Sequence, residues 1–175
     1  IATCLIAITI MMIVAQLAIS RAVMRMLENA PPLNAGEFGS DSRANEFSFL
    51  TEDGLELQAC HFRQIERESR GLVLFCHELG GSRWSAMSYC EGLFDAGYEV
   101  LSFDFRNHGT SEKPAGYEPL HWLTEFEVFD MRAVLKLIRS RDDLRSQPLG
   151  VFGISRGGAA AIAAAGCDKN VRCVA

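Results

Sequence analysis

The sequence predicts an α/β fold, a largely parallel central sheet flanked by helices, with a transmembrane helix in front of it. Three observations carry this. Short apolar runs typical of strands buried on both faces, Gly71–His77, Val100–Phe105 and Leu149–Ile154, alternate with helical stretches. A glycine-rich or polar loop follows each of those runs, where the ligands of parallel sheets bind. The chain also opens on nineteen residues without a charge, IATCLIAITIMMIVAQLAI.

At about 1.5 Å per residue a nineteen-residue helix spans roughly the 30 Å of a bilayer core. The run is longer than the apolar region of a signal peptide, and Ala18-Ile19-Ser20 is a poor cleavage site. Residues 1–20 are therefore expected to be an uncleaved, single-pass anchor in a lipid bilayer. A cleaved signal and a buried globular helix are the alternatives. Arg21 and Arg25 would hold the following chain in the cytoplasm. Basic residues ahead of Ile1 would share in that vote, so the side of the membrane stays open. Pro31, Pro32, Asn34, Gly36, Gly39 and Ser40 break helices, and 21–45 is expected to be a linker. The α/β domain then occupies 46–175.

Phe47 and Phe49 alternate with polar residues, as do Leu55, Leu57 and Ala59 after Asp53-Gly54, which predicts a hairpin. Ser82 is a candidate cap for a helix carrying Trp84, Met87 and Phe94 and ending at Gly97. Thr124 and Glu127 have the spacing of a capping box. Behind them Met131, Val134, Leu135 and Ile138 share one helical face. The alanines after Gly158 predict the last helix, and Val171 begins a further strand.

The net charge of −5 gives no basic footprint, so nucleic acid is not an expected partner. The six cysteines, Cys4, Cys60, Cys76, Cys90, Cys167 and Cys173, form no CxxC pair or zinc-like spacing and read as small buried thiols. No metal or other cofactor is implied. A dinucleotide-binding G-x-G-x-x-G is absent.

Gly153-Ile154-Ser155-Arg156-Gly157 is a G-x-S-x-G pattern between a predicted strand and a predicted helix, the setting of a nucleophile elbow. Its glycines suit a backbone that turns too sharply for side chains. Ser155 at the helix start would feel the positive end of the helix dipole. His77-Glu78-Leu79-Gly80-Gly81 follows another strand and offers backbone N–H groups of the kind an oxyanion needs. Asp104-Phe105-Arg106-Asn107-His108-Gly109 forms a polar turn after a third. Asp104 and Arg106 read as turn-fixing residues, and His77 and His108 as loop-ordering hydrogen bonders. His61 and His121 read as surface or helix-entry residues. Arg156 reads as solvated or as a contact for an anionic substrate group.

In this order the three motifs resemble the α/β-hydrolase fold family, in its serine aminopeptidase and lipase/esterase-like branch, over about residues 46 to 175. His77–Gly81 matches the family's His-Gly-x-Gly loop, Asp104 to Ser111 its Asp-x-Arg-Gly-x-Gly-x-Ser turn, and Gly153–Gly157 its elbow. The resemblance implies that Ser155 is the nucleophile and that the amides of Leu79 and Arg156 form the oxyanion hole. His77, Gly80, Gly81, Asp104, Arg106, Gly153 and Gly157 would support them. Glu78 and Asn107 stand where the family has glycine, and Glu78 brings a carboxylate beside the expected hole.

A serine needs a base, and the family places its acid and histidine after the serine. Asp168 follows Ser155 too soon to match that acid, and no histidine follows. The chain lacks an initial Met and ends on strand-like residues, so it reads as a fragment truncated at both ends and inactive alone. The expected function is a membrane-anchored serine hydrolase cleaving an ester or amide of a small molecule or peptide through an acyl-enzyme. A non-catalytic ligand- or partner-binding module of the same fold is the alternative. A thioesterase or lipid-handling enzyme would differ in substrate alone.

Overall fold

The structure, a computed structural model, describes residues 2–28 and 39–175. The chain divides into two units, Ile1–Pro32 and Leu33–Ala175. The first holds helix α1 (Ala2–Glu28), in which Thr3–Met26 is long and apolar enough to cross a membrane. None of that stretch is buried within the protein. Thr9, one of its few polar residues, donates its hydroxyl to the Leu5 carbonyl at 2.9 Å, which satisfies it inside the helix. Length and composition suit a signal sequence as well as a span. Helix α1 continues through residues 21–28, which the sequence assigned to the linker, because no glycine or proline interrupts Arg21–Glu28. Residues 29–38, with Pro31, Pro32, Asn34 and Gly36, lie outside the described residues.

The second unit begins with the predicted hairpin. Strands β1 (Ala44–Leu50) and β2 (Glu56–Phe62) pair antiparallel, with Phe47 opposite Ala59. Between them Gly54 takes φ +87°, a conformation that favours glycine. Next come β3 (Leu72–Cys76), α2 (Ala86–Asp95) and β4 (Glu99–Phe103), then α3 (Glu125–Ser140), β5 (Leu149–Gly153), α4 (Arg156–Cys167) and β6 (Val171–Val174). The sheet order is β1-β2-β4-β3-β5-β6. β2 meets β4 antiparallel and the strands from β4 to β6 run parallel, so the sheet is mixed.

Strand β3 shows why these runs are apolar throughout. Leu72, Leu74 and Cys76 pack into the core beneath α3 and α4, while Val73 and Phe75 join Ala86, Met87 and Cys90 of α2 on the opposite face. The predicted face of α3, Met131, Val134, Leu135 and Ile138, is buried. Its start carries the full capping box, with Thr124 accepting from Phe126 N–H and Glu127 reaching back to Thr124. Ser82 caps a short 3-10 turn, Arg83–Ser85, ahead of α2.

Two readings need correction. His61 is not a surface residue. It is 1% exposed on β2, which is flanked by β1 and β4, and its Nε2 lies 2.9 Å from Glu99 Oε2. Burial lowers its pKa, against the pull of Glu99. Nor are all the thiols buried: Cys60, Cys76 and Cys90 are, but Cys4 lies on the exposed helix α1 and Cys173 on the edge strand β6.

Candidate active site

The three motif loops leave the carboxyl ends of β3, β4 and β5. Cys76 pairs with Gly153 in register, and Ile154 N–H donates to the Cys76 carbonyl at 3.1 Å, so the loops after β3 and β5 start side by side. The glycines of the elbow follow from that closeness. A Cβ on Gly157 would overlap the Cys76 carbonyl oxygen, and one on Gly153 would overlap the Gly157 carbonyl. Gly158 is less tight, its Cβ position 3.1 Å from the Gly153 oxygen.

Ser155 stands at the point of the turn, exposed, with φ 54° and ψ −115°. That pair lies outside the small left-handed region open to L-residues, so the backbone is strained there, by about 1–3 kcal/mol. Its side chain makes no capping bond to α4. Arg156 is the first residue of α4, and a first-turn N–H has no partner inside its helix.

The loop after β3 is ordered by His77. Its Nε2 accepts the Phe105 N–H at 3.2 Å, which leaves the proton on Nδ1 to be donated to the Glu78 carbonyl at 2.7 Å. Burial pushes this imidazole down to about 4. Gly80, at φ +78°, and the Gly81 N–H bonded to the Glu78 carbonyl at 3.0 Å close the turn around half-buried Leu79. The Glu78 carboxylate is buried and accepts from Tyr89 of α2 at 3.3 Å. Its other oxygen lies 3.0 Å from where a Gly81 Cβ would stand, so Gly81 makes room for the residue that replaces the family's glycine.

The loop after β4 is held by charge. Asp104, fully buried, accepts the Arg83 N–H at 2.5 Å, the Thr110 N–H at 3.1 Å and the Arg83 guanidinium. Arg106 donates to Asp130 at 2.9 Å and to Asp53 at 2.8 Å. Burial raises the pKa of Asp130, while the hydrogen bond from Arg106 lowers that of the more exposed Asp53. His108 donates from Nδ1 to the Arg106 carbonyl at 3.0 Å, and burial pushes it down to about 3. In this geometry Asp104 and Arg106 brace the turn, while His77 and His108 bond to the backbone of the loops. Asn107 takes φ +60°, which asparagine tolerates better than most residues, and this accounts for its standing in place of glycine.

Arg156 departs from the sequence reading. Its side chain is neither solvated nor open to a substrate: the residue is 3% exposed. Its Nη2 lies 2.5 Å from Glu127 Oε1 and 2.7 Å from the Tyr117 hydroxyl. Tyr117 also donates to Glu127, and burial pushes its phenol up to about 12. The sequence flagged Glu127 as a helix cap and did not single out Tyr117. No local pattern ties either to the elbow. His121 is half-buried, and Asp168 bonds Arg139 at 3.0 Å. Among the described residues no cluster of three or more His, Cys, Asp or Glu side chains is placed to hold a metal.

A mixed sheet with helices on both faces and a strained serine between β5 and α4 define an α/β-hydrolase architecture. Residues 71–175, more than half of the chain, match the profile of the alpha/beta hydrolase fold, and the protein belongs to that family. It is 31% identical over 132 residues to thiohydrolase aneE of Aspergillus aculeatus, covering 74% of this chain and 40% of that protein. An esterase of Pyrococcus furiosus superposes with a TM-score of 0.64 at 28% identity, over 75% of this chain and 47% of the esterase. A cold-adapted esterase from an Arctic intertidal metagenomic library gives 0.60 at 21% identity, over 79% and 62%, and speaks for the fold alone. The chain thus spans about two-fifths of the thiohydrolase and about half of the archaeal esterase.

Proposed function

We propose that this chain is the nucleophile-bearing part of a serine hydrolase that cleaves an ester, thioester or amide through an acyl-enzyme. The observation that carries this reading is Ser155 itself, exposed on a strained backbone at the mouth of three converging loops. Strain of this kind persists where the surroundings over-determine it, and it gathers at functional sites. The Leu79 and Arg156 amides would receive the oxyanion, with His77, Gly80, Gly81, Asp104, Arg106, Gly153 and Gly157 keeping the loops in place. The esterase and the thiohydrolase among the similar proteins favour an acyl substrate. Helix α1 would hold the enzyme at a bilayer.

The second reading, a module that binds a ligand without catalysis, is favoured by Glu78, whose buried carboxylate sits in the loop that would carry the Leu79 oxyanion donor. His77 uses both ring nitrogens on backbone partners, and burial keeps His77 and His108 uncharged. With both nitrogens engaged, His77 is not free to serve as the base. Labelling of the full-length protein with a fluorophosphonate probe separates the two. The hydrolase reading expects labelling that disappears in Ser155→Ala. A folded full-length protein that stays unlabelled would count heavily against the hydrolase reading and turn the search to a bound ligand.

A further inference from the structure

We infer that Glu127 is a positioning residue for the elbow, acting through Arg156; this rests on the hydrolase reading above. The Arg156 peptide contributes one of the two proposed oxyanion donors, and it adjoins the strained Ser155. Nothing on the Ser155 side chain can hold that peptide, because the hydroxyl must stay free. The grip comes instead from the neighbouring side chain. The Arg156 guanidinium runs inward to Glu127, 2.5 Å away, and lies 6.0 Å from the centre of the Phe105 ring.

Glu127 is itself immobilised, being fully buried. Its Oε2 accepts the Thr124 N–H at 2.7 Å and the Thr124 hydroxyl at 2.6 Å, and its Oε1 takes Arg156 and Tyr117. One carboxylate thus ties the start of α3 to the start of α4. The cap alone does not call for a charge, since glutamine serves at that position of a capping box equally well. A buried ion pair, in contrast, is a costly way to gain stability, and apolar or neutral replacements of both partners often leave stability unchanged. Geometry at the adjacent peptide is what the pair provides.

The test uses the full-length protein and four variants: Ser155→Ala, Glu127→Gln, Glu127→Gln with Arg156→Met, and Ile138→Val. The last weakens the core end of α3 without touching the cluster. Fluorophosphonate labelling rates, hydrolysis of a p-nitrophenyl ester and melting temperatures are read for each. Glu127→Gln keeps the cap but strands a buried cation, so it can lose stability as well as rate. The double variant removes the charge with its partner and is expected to melt near the wild type. Its labelling and kcat should still be lower by about 10- to 100-fold, as a misplaced donor predicts, with KM little changed. Ile138→Val should melt lower and label at the wild-type rate.

A stable double variant that labels as fast as wild type overturns the role of Glu127 while leaving the hydrolase reading intact, provided Ser155→Ala is unlabelled. Equal slowing in Ile138→Val would also overturn it, by showing that the rate follows stability. If the wild type is unlabelled, or Ser155→Ala labels like it, the hydrolase reading fails and the positioning role falls with it.

Discussion

Two turns of this molecule solve the same problem by opposite means. Both follow a parallel strand and both contain a non-glycine residue at positive φ, Asn107 after β4 and Ser155 after β5. The β4 turn is held by what its side chains do. Asp104 alone collects two backbone N–H groups and a guanidinium, and Arg106 spans Asp53 and Asp130. The β5 turn is held by what its side chains lack. Gly153 and Gly157 bring backbone against backbone, and Ser155 projects without a cap bond. A turn whose central residue must face solvent cannot be anchored through that residue. Its conformation has to be forced from the flanks, by close packing before and after and by the inward reach of Arg156.

The contrast can be broken from either side. The largest effect is expected from Asp104→Ala, which leaves two N–H groups without an acceptor and removes one of the two carboxylates on Arg83, whose other partner, Glu46, remains at 2.8 Å. The two unsatisfied N–H groups alone cost about 1–3 kcal/mol each, so the loss of stability should be about 3–5 kcal/mol, read by urea unfolding. A loss under about 1 kcal/mol would mean the β4 turn does not depend on its charges.

Acid should attack the same region by another route. The folded-state pKa of His77 is lowered from 6.5 to about 4, and that of His108 from 6.5 to about 3. Between those values and 6.5 the unfolded chain binds protons that the folded chain refuses, so stability rises with pH across that window. Melting temperature is expected to be level above about pH 6.5 and to fall steadily toward pH 4, each histidine contributing up to roughly 3 kcal/mol. A level profile down to pH 4 would contradict the neutral histidines.

Gly157→Ala tests the glycine-built turn. Its Cβ would meet the carbonyl of Cys76, which is backbone and cannot rotate away. A destabilisation of about 3 kcal/mol is expected, with loss of probe labelling. Retained labelling at full rate would show that the two strands can part cheaply.

The smallest effect has the opposite sign. Glycine accepts the φ and ψ of Ser155 at little cost, so Ser155→Gly should raise stability, by about 1 kcal/mol, while removing the hydroxyl. An unchanged or lowered melting temperature would argue against strain at the elbow.

How far all this is legible in sequence depends on the range of each cause. The strands and the face of α3 follow from periodicity, because burial on one or two faces writes a pattern every two or three to four residues. The elbow is legible for a similar reason, since steric exclusion acts within five consecutive positions. The ion pair of Glu127 with Arg156 and that of Arg83 with Asp104 join residues from separate elements, and nothing near either partner announces the other. His61 is misread for the same cause: its strand is interior because of the sheet order, which no local pattern states. The end of α1 falls at Glu28 rather than residue 20 because apolarity stops before helix propensity does.

The clash at Gly157 has one more consequence. What forbids a side chain there is the carbonyl of a neighbouring strand, and that carbonyl is present whether or not any chemistry takes place. A protein of this fold with no use for a nucleophile would be free to vary the residue at the position of Ser155 but bound to keep the glycines on either side. The glycines of the signature therefore record inheritance of an architecture, whatever residue stands between them.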